Sequence, residues 1–516
     1  MWNQIRDSRA LGFHEGYTPR WFVDCVCAGQ MLAAVHLLTD QQASTSAKKR
    51  VSLLQQMPLI VLSLILLANG WQMTDPDLWG HIRFGQLMLS SGKIVSRDPF
   101  SYTAFGHIWR DHEYLTEIIM AAVYNGAGVI GLKIWKVLCI SATILFLVVG
   151  MAETEANCLV QINILAVAVA VIAPHVQFRP QLHSYLLFAI LLAILARDNY
   201  QGSAPLWIAV PVIALWSNLH GGFIIGVITL VIYTGVRALS DFFSSRDLWR
   251  TIRIVVIAGA AIGSTLLPPR GLSTWHAVLL TVCSPATYKT FADWQPLSTA
   301  IYVQWHYNEF GTVVYLLLLL LWAVLTASVA LRPYGNDFPL LLIAFAMSMA
   351  ALKCVRNVPF AALACVIPAV RHLGLLLDGG NLSSSMKTLL RQSGWFIAGA
   401  ALLLTRREIF STRLPSHEIY PRAAVNFMLQ EHLHGNILND FGWGEYLIWH
   451  LPNSKVFIDS RYDMVYPPSV IEDYLTFRFQ PLRMAQVLRA YPHDFILIVN
   501  NYAKKCLACG KHCWSE

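Results

Sequence analysis

The chain is short of charge. Of its 516 residues only 13% are Asp, Glu, Lys or Arg, against 56% that are hydrophobic, whereas soluble proteins average about 25% charged. So few charges cannot cover the three or four soluble domains that this length would otherwise suggest, and lipid is the solvent that accepts the apolar excess. Disorder, collagen and small secreted disulfide scaffolds are excluded by the same figures. The chain also lacks GxGxxG and GxxxxGK[ST], so nucleotide binding has no support, and it carries no repeat of solenoid period and no low-complexity tract. Ten cysteines are scattered; Cys139, Cys158 and Cys365 lie in or beside apolar runs, where each reads as a small hydrophobe and not as part of a redox framework. The N-terminal stretch lacks the order of a signal peptide, and Trp21 to Thr39, broken by Asp24, Gln30 and His36, reads as an interfacial helix.

What is present is a series of apolar runs. The first is Leu53 to Trp71, followed by runs near 130 to 150, 159 to 174, 183 to 196, 205 to 219, 221 to 236, 254 to 268, 311 to 331, 338 to 352, 358 to 377 and 394 to 405. That predicts an α-helical polytopic membrane protein of about eleven transmembrane helices. The 38 Lys and Arg exceed the 30 Asp and Glu, giving +8, an excess that marks cytoplasmic loops and not a nucleic-acid surface. With eleven spans, Lys48, Lys49 and Arg50 fall inside, as do Arg237, Arg246, Arg250, Arg253, Arg332, Arg371, Lys387 and Arg391. Only the acidic loop at Glu153 and Glu155 runs against the pattern. The N-terminus is therefore expected inside, the C-terminus outside, and loops 72 to 129 and 269 to 310 on the outer face.

From Arg406 the composition shifts toward charge. Short apolar runs at 436 to 439, 455 to 459 and 495 to 499 alternate with helical stretches near 443 to 451 and 469 to 490, which predicts a small parallel α/β unit. The expected divisions are a cytoplasmic N-terminal segment, 1–52, with its interfacial helix; a transmembrane core, 53–405, that includes outer loop 72–129; and an extracytoplasmic α/β domain, 406–516.

The first outer loop carries the densest chemistry. Residues 74 to 117 bring Asp75, Asp77, His81, Arg83, Asp98, Arg110, Asp111, His112, Glu113 and Glu117 together with Trp79, Tyr102 and Trp109. Ionisable groups beside hydrocarbon are costly unless paired or functional, and tryptophans anchor such a segment among the headgroups, so amphipathic helices lying on the membrane are expected. Asp75 before Pro76 makes a helix N-cap with Pro in the first helical position, and Asp77 then suits the positive end of the dipole. A chemical role is compatible with capping, because Asp77 and His81, four residues apart, share one helix face.

In order and spacing, DPDLWGHIRFGQ, then DPFSYT, then WRDHEYLTE resembles the pattern D-x-D-x-W-x-H, DPFSYT, W-x-x-HEWL of bacterial polytopic membrane proteins grouped with the GT-C class of glycosyltransferases. FRPQLHSYLL at 178 to 187, LWSNLHGGFIIG at 215 to 226, RNVPF at 356 to 360 and GWGEYLIWHLPNSKVFIDSRYDM at 442 to 464 agree. The resemblance covers most of residues 57 to 500 and implies a GT-C-like, mannosyltransferase-like transferase of the bacterial inner membrane. It also implies a polyprenyl-phosphate-linked sugar donor and an extracytoplasmic glycan, lipid or protein acceptor, in keeping with a role in the cell envelope. On it, Asp75 or Asp77 is the catalytic base or a metal ligand. Sugar transfer with inversion needs a base for the acceptor hydroxyl and positive charge for the leaving phosphate. Arginine supplies the second need, and Arg179, Arg356 and Lys353 fall at outer ends of spans, where snorkelling to headgroups is the competing reading. His81, Arg83, His112, Glu113, Arg179, His220 and Arg356 are the expected substrate-binding residues. Asn218, His220, Gly221 and Gly222 form an outer turn whose glycines allow a tight reversal.

A divalent cation remains an open expectation: Asp75 and Asp77 could chelate one but lack the further ligand positions of a calcium loop. Cys506, Cys509, His512 and Cys513 could hold zinc or form disulfides. Asp459 and Arg461, after a strand, suit either an internal salt bridge or acceptor recognition. A lipid-linked glycan transporter or flippase, a glycan ligase or polymerase, and a non-catalytic scaffold stay as rival readings. The transporter would need ionisable groups buried mid-span and related halves.

Overall fold

The computed structural model describes residues 75–378, apart from 244–247, 285–291, 308 and 333–336, together with residue 385 and residues 420–499. The described residues belong to one compact unit, Val51–Glu516. The expected interfacial helix near the N-terminus, the spans Leu53 to Trp71 and 394 to 405, and the cysteine-rich tail lie outside the described residues.

The apolar runs become helices. Among the described residues six are long and apolar enough to cross a membrane: Tyr114–Ala152, Cys158–His175, Gln181–Gln201, Phe223–Phe243, Thr312–Leu331 and Val355–Leu377. Leu206–Leu219, Leu272–Cys283 and Phe338–Lys353 are shorter apolar helices, and Leu248–Ser264 matches the run expected near 254 to 268. The chain is a multi-pass membrane protein. Outer loop 269 to 310 is not bare coil, because it folds into helices Leu272–Cys283 and Leu297–Tyr307.

Two helices frame the first outer loop: α1, Leu78–Ser91, and α2, Tyr114–Ala152. At 1.5 Å per residue, 39 residues would extend ~58 Å, about twice a hydrocarbon core of ~30 Å. The helix therefore breaks where Gly128 adopts φ 57, ψ −146. The part after the break matches the span expected near 130 to 150, and the part before it belongs to the loop. Helix α1 forms as its amphipathic pattern predicts, but protein covers it: Leu78, Ile82, Phe84 and Met88 are buried. Gly85 sits against the Glu117 carbonyl, where a side chain would clash, so glycine permits α1 and α2 to touch. The cap differs from the expectation. The helix begins at Leu78 with Asp77 as its N-cap residue, and the Asp75 carboxylate instead accepts the Asp77 N–H at 2.8 Å, ahead of the helix.

The C-terminal sheet has three parallel strands, β1 Asn436–Asn439, β2 Lys455–Val456 and β3 Phe495–Leu497, in the order β2-β1-β3. Ile437 pairs with Val456 and Leu438 with Ile496. The first loop adds to the β2 edge: Val456 N–H donates to the Phe100 carbonyl and Tyr102 N–H to the Val456 carbonyl, both at 3.1 Å. Side chains continue the join, since Phe84, Met88, Trp109 and Tyr114 share one buried cluster with Ile437, Leu447 and Phe457. At its centre Arg461, 3% exposed, grips Asp459 through Nε at 2.8 Å and Nη2 at 2.6 Å and reaches Asp98 of the loop at 2.8 Å. Phe84, Phe100 and Trp109 box the guanidinium at 4.9, 5.3 and 4.7 Å. The internal salt bridge expected for Asp459 and Arg461 is present, and it extends to the loop.

A second polar cluster lies at the far end of the bundle. Asp198 follows Gln181 by 17 residues on one helix, which places it ~26 Å away. His372 Nε2 faces Asp337 at 3.1 Å with both side chains fully buried, Asn199 donates to Asp337 at 3.1 Å, Tyr233 to Asp198 at 2.8 Å and Arg237 to Asn199 at 2.9 Å. Arg250 and Arg371 gather there too, on Asp198 and on the Thr154 carbonyl.

Breaking a buried pair from one side costs about 3–5 kcal/mol, because the remaining charge is left without compensation. Arg461→Ala is expected to destabilise the protein by that order in detergent, followed by thermal unfolding, and Arg461→Lys to restore little, since ammonium cannot make the forked contact. Asp337→Ala should lower the unfolding temperature comparably, although it lies far from the first loop.

Candidate functional site

Between the first loop, the helix ends beside it and the sheet lies a cavity of about 970 Å³ of empty space, its mouth included. Of the expected site residues, Asp77, His81, His112, Glu113, Arg179, His220 and Arg356 line it. Asp75 and Arg83 are not among its lining. Glu117, Asp293, Glu445, Ser460 and Arg461 join the wall; none was singled out for a site except Arg461. Asp293 was hidden in a loop with no pattern around it, and Glu445 by a sheet unit whose seat on the loop no local pattern reports.

Asp75 is wholly buried and its carboxylate contacts Arg179 Nε. The same guanidinium donates to Asp293 at 2.6 Å and faces Asp77 at 4.0 Å. Arg179 is therefore spent on three carboxylates. Burial opposes the charge of Asp293, but Arg179 and Arg356 outweigh it and hold that carboxyl below its usual range. Asp75 also fixes the turn that aims Asp77, with Tyr420 donating to the Asp75 carbonyl at 2.7 Å.

Asp77 sits at the rim, a quarter exposed. The Ser460 hydroxyl joins it to Glu445, which is 2% exposed. Burial raises both carboxyls; the Asp77 and Asp459 charges raise Glu445 further, whereas His81, the Ser460 hydrogen bond and Arg356 pull Asp77 down. Glu445 is the deeper and more strongly raised of the two, and Asp77, near His81, is the one that faces the cavity. Gly80 makes room for this pair, since any side chain there would run into the Glu445 carboxyl. His81 is held by Glu117, Nδ1 to Oε1 at 3.1 Å.

On the opposite wall Glu113 lies 3.4 Å from His220 Nε2 and 3.6 Å from His112 Nε2. Burial lowers His112 to about 4 and puts His220 well below its ordinary value, so both are neutral. Burial likewise raises Glu113 to about 7, against the pull of His81 and Arg356. Gly221 and Gly222 serve a purpose beyond the expected reversal. A Cβ on Gly221 would come within 2.7 Å of the His112 ring, and one on Gly222 within 2.6 Å of Ser184 Oγ and 2.7 Å of His220 Nδ1. Arg356 stands over the Trp294 ring at 5.5 Å; no hydrogen bond or ion pair engages its guanidinium among the described residues.

The cavity thus offers the rim carboxyl of Asp77, the Glu113 carboxyl at about 7 and the uncommitted Arg356 guanidinium around one space, the components that proton transfer and anion binding need. Among the described residues no three His, Cys, Asp or Glu side chains converge closely enough to hold a metal ion.

No protein-family model and no curated protein sequence matches the chain. Among solved structures it is similar to the apo oligosaccharyltransferase of Archaeoglobus fulgidus, at a TM-score of 0.51 and 13% identity over 81% of this chain and 66% of that one. The same oligosaccharyltransferase tethered with an acceptor peptide containing the NVT sequon aligns at a TM-score of 0.49 and 12% identity, over 78% and 64%. ArnT from Cupriavidus metallidurans bound to undecaprenyl phosphate aligns at 0.42 and 13%, over 89% and 91%. The chain spans just under two thirds of the length of the oligosaccharyltransferase. Identities this low describe architecture, and on that ground the chain is a polytopic membrane protein of GT-C-like fold.

Proposed function

We propose that the protein is a membrane glycosyltransferase that moves a sugar from a polyprenyl-phosphate-linked donor to an extracytoplasmic acceptor. The observation that carries this reading is the pairing, across one cavity, of the Asp77 carboxyl with the uncommitted Arg356. Transfer with inversion requires the acceptor oxygen to lose a proton as it attacks the anomeric carbon, while the carbon–oxygen bond to phosphate breaks and its electron pair leaves with the phosphate. Arg356 meets the charge that develops on that phosphate, and Trp294 beneath it supplies an apolar platform. Of the two first-loop aspartates, Asp77 serves the reacting centre, as base or as metal ligand. Asp75 acts on Arg179 and on the turn that aims Asp77.

The two polar ends of the bundle also fit the inner bacterial membrane. Arg237, Arg250, Arg332 and Arg371 gather at the end away from the cavity, which we assign to the cytoplasm, leaving the cavity and the sheet unit outside.

The test supplies purified full-length protein with labelled sugars on undecaprenyl phosphate and follows label into membrane products. Whether Asp77 acts as base or as metal ligand, Asp77→Asn is expected to reduce transfer by about 10²–10⁴-fold, the range for loss of a catalytic group; undiminished transfer would remove Asp77 from the chemistry. A charged hydrogen bond contributes about 1.5–3 kcal/mol, so Arg356→Gln should weaken undecaprenyl phosphate binding by about 10- to 100-fold, read by calorimetry or competition. Arg356→Lys should recover only part of it.

A further inference from the structure

The transferase reading gives Asp77 as base or as metal ligand, and the wall opposite it carries a second group prepared for the acceptor's proton. Trp216 Nε1 donates to Ser184 Oγ at 2.6 Å. That oxygen lies 2.7 Å from His220 Nδ1, and the Gly222 N–H donates to the same nitrogen at 2.9 Å. With the indole hydrogen occupying a Ser184 lone pair, the hydroxyl hydrogen is directed at His220, so Nδ1 accepts from two donors and cannot carry a proton itself. The neutral imidazole therefore bears its hydrogen on Nε2, the atom that faces Glu113 Oε1 at 3.4 Å. Gly222 has no space for a side chain because this arrangement fills it. Trp216 and Ser184 are fully buried and His220 is 5% exposed, so three layers of side chains end at a single carboxyl on the cavity wall. Contacts of this kind are commonly long without substrate and tighten when it binds.

We propose that Glu113 receives the acceptor's proton during sugar transfer and that His220 is its positioning residue, acting through the Nε2 hydrogen that Ser184 and Gly222 impose. The assignment rests on the transferase reading and, of the two parts given there to Asp77, leaves that of metal ligand. In the step, the acceptor O–H bond breaks and its proton passes to a Glu113 oxygen. The acceptor oxygen bonds to the anomeric carbon, and the bond to phosphate breaks with its electron pair leaving on phosphate. Glu113 then releases the proton to cavity water. The groups around Glu113 suit the task. His112 and His220 are neutral, so no adjacent histidinium pins the carboxylate; His81 and Arg356 favour its charge while Asp111 and Asp77 oppose it. The carboxyl stands at about 7, where an acid–base group is most effective at neutral pH. Since it is raised, it is a carboxylate above that pH and protonated below, so activity is lost as pH falls through about 7.

The experiment measures the transfer rate against pH for full-length protein in membranes, with label on undecaprenyl phosphate. Wild type is expected to show an acid limb near pH 7. Glu113→Gln should lose about 10²–10⁴-fold at neutral pH, and Glu113→Asp should keep a limb at reduced rate. His220→Ala removes a neutral donor that favours the carboxylate, so its limb should move to higher pH, and His220→Gln, which supplies an amide N–H, should move it back. Thermal unfolding of each variant separates misfolding from chemistry, and where His220→Ala unfolds the His220→Gln profile decides. The Glu113 assignment is overturned if folded Glu113→Gln transfers at close to the wild-type rate. It is overturned equally if His220→Ala or His220→Gln lowers the rate by one factor at every pH without moving the limb. Failure of wild type to transfer any sugar would instead remove the transferase reading beneath it.

Discussion

Everything around the cavity depends on holding one loop between the helices and the sheet unit. Arg461 does this. Its fork is committed to Asp459 in the sheet unit, its remaining nitrogen to Asp98 in the loop, and its faces to the rings of Phe84, Phe100 and Trp109. A guanidinium taken out of water is tolerable only when its donors and its charge are both answered, and here two carboxylates and three aromatic faces answer them. Because the grip involves α1, the 98–101 turn and the segment after β2 at once, it sets where Asp77, Glu445 and Ser460 meet. The cavity is a consequence of that meeting, not a groove between helices.

The same economy of charge explains the division of the arginines. Arg179 looks from its position like a phosphate ligand, yet Asp75, Asp77 and Asp293 surround it. Arg356 lies on the Trp294 ring and keeps its donors. Two residues at span ends thus differ, one committed to three carboxylates of the wall and the other keeping its donors toward the cavity. Glu113 and Asp77 divide in a similar way: neutral histidines surround the first, while a serine, a buried carboxyl and an arginine border the second.

Much of the fold was legible in the chain because its signals are local. Apolar length gave the spans, and the alternation after Arg406 gave the three parallel strands within a residue or two, apart from the shorter β2. The site was legible in part for the same reason. His81, His112, Glu113, His220 and Arg356 stand in short polar motifs between spans and do line the cavity. Other features depend on contacts no local pattern reports. The start of α1 moved from Asp75 to Asp77 because Arg179, about a hundred residues away, claims the Asp75 carboxylate. Glu445 and Ser460 enter the site only because the sheet unit seats on the loop. Lys133 and Lys136, buried within α2, did not disturb the reading of an apolar span, since Lys136 extends over the Phe178 ring at 4.3 Å.

The central claim is that this cavity holds the phosphate of a lipid carrier beside Asp77 and Glu113. Electron cryomicroscopy of the full chain in lipid nanodiscs with undecaprenyl phosphate tests it most directly. Phosphate density on the Arg356 guanidinium above Trp294, with the chain leaving toward the bilayer, is the result the account predicts. Density for the carrier on another face of the bundle, with the cavity closed to it, would contradict the account.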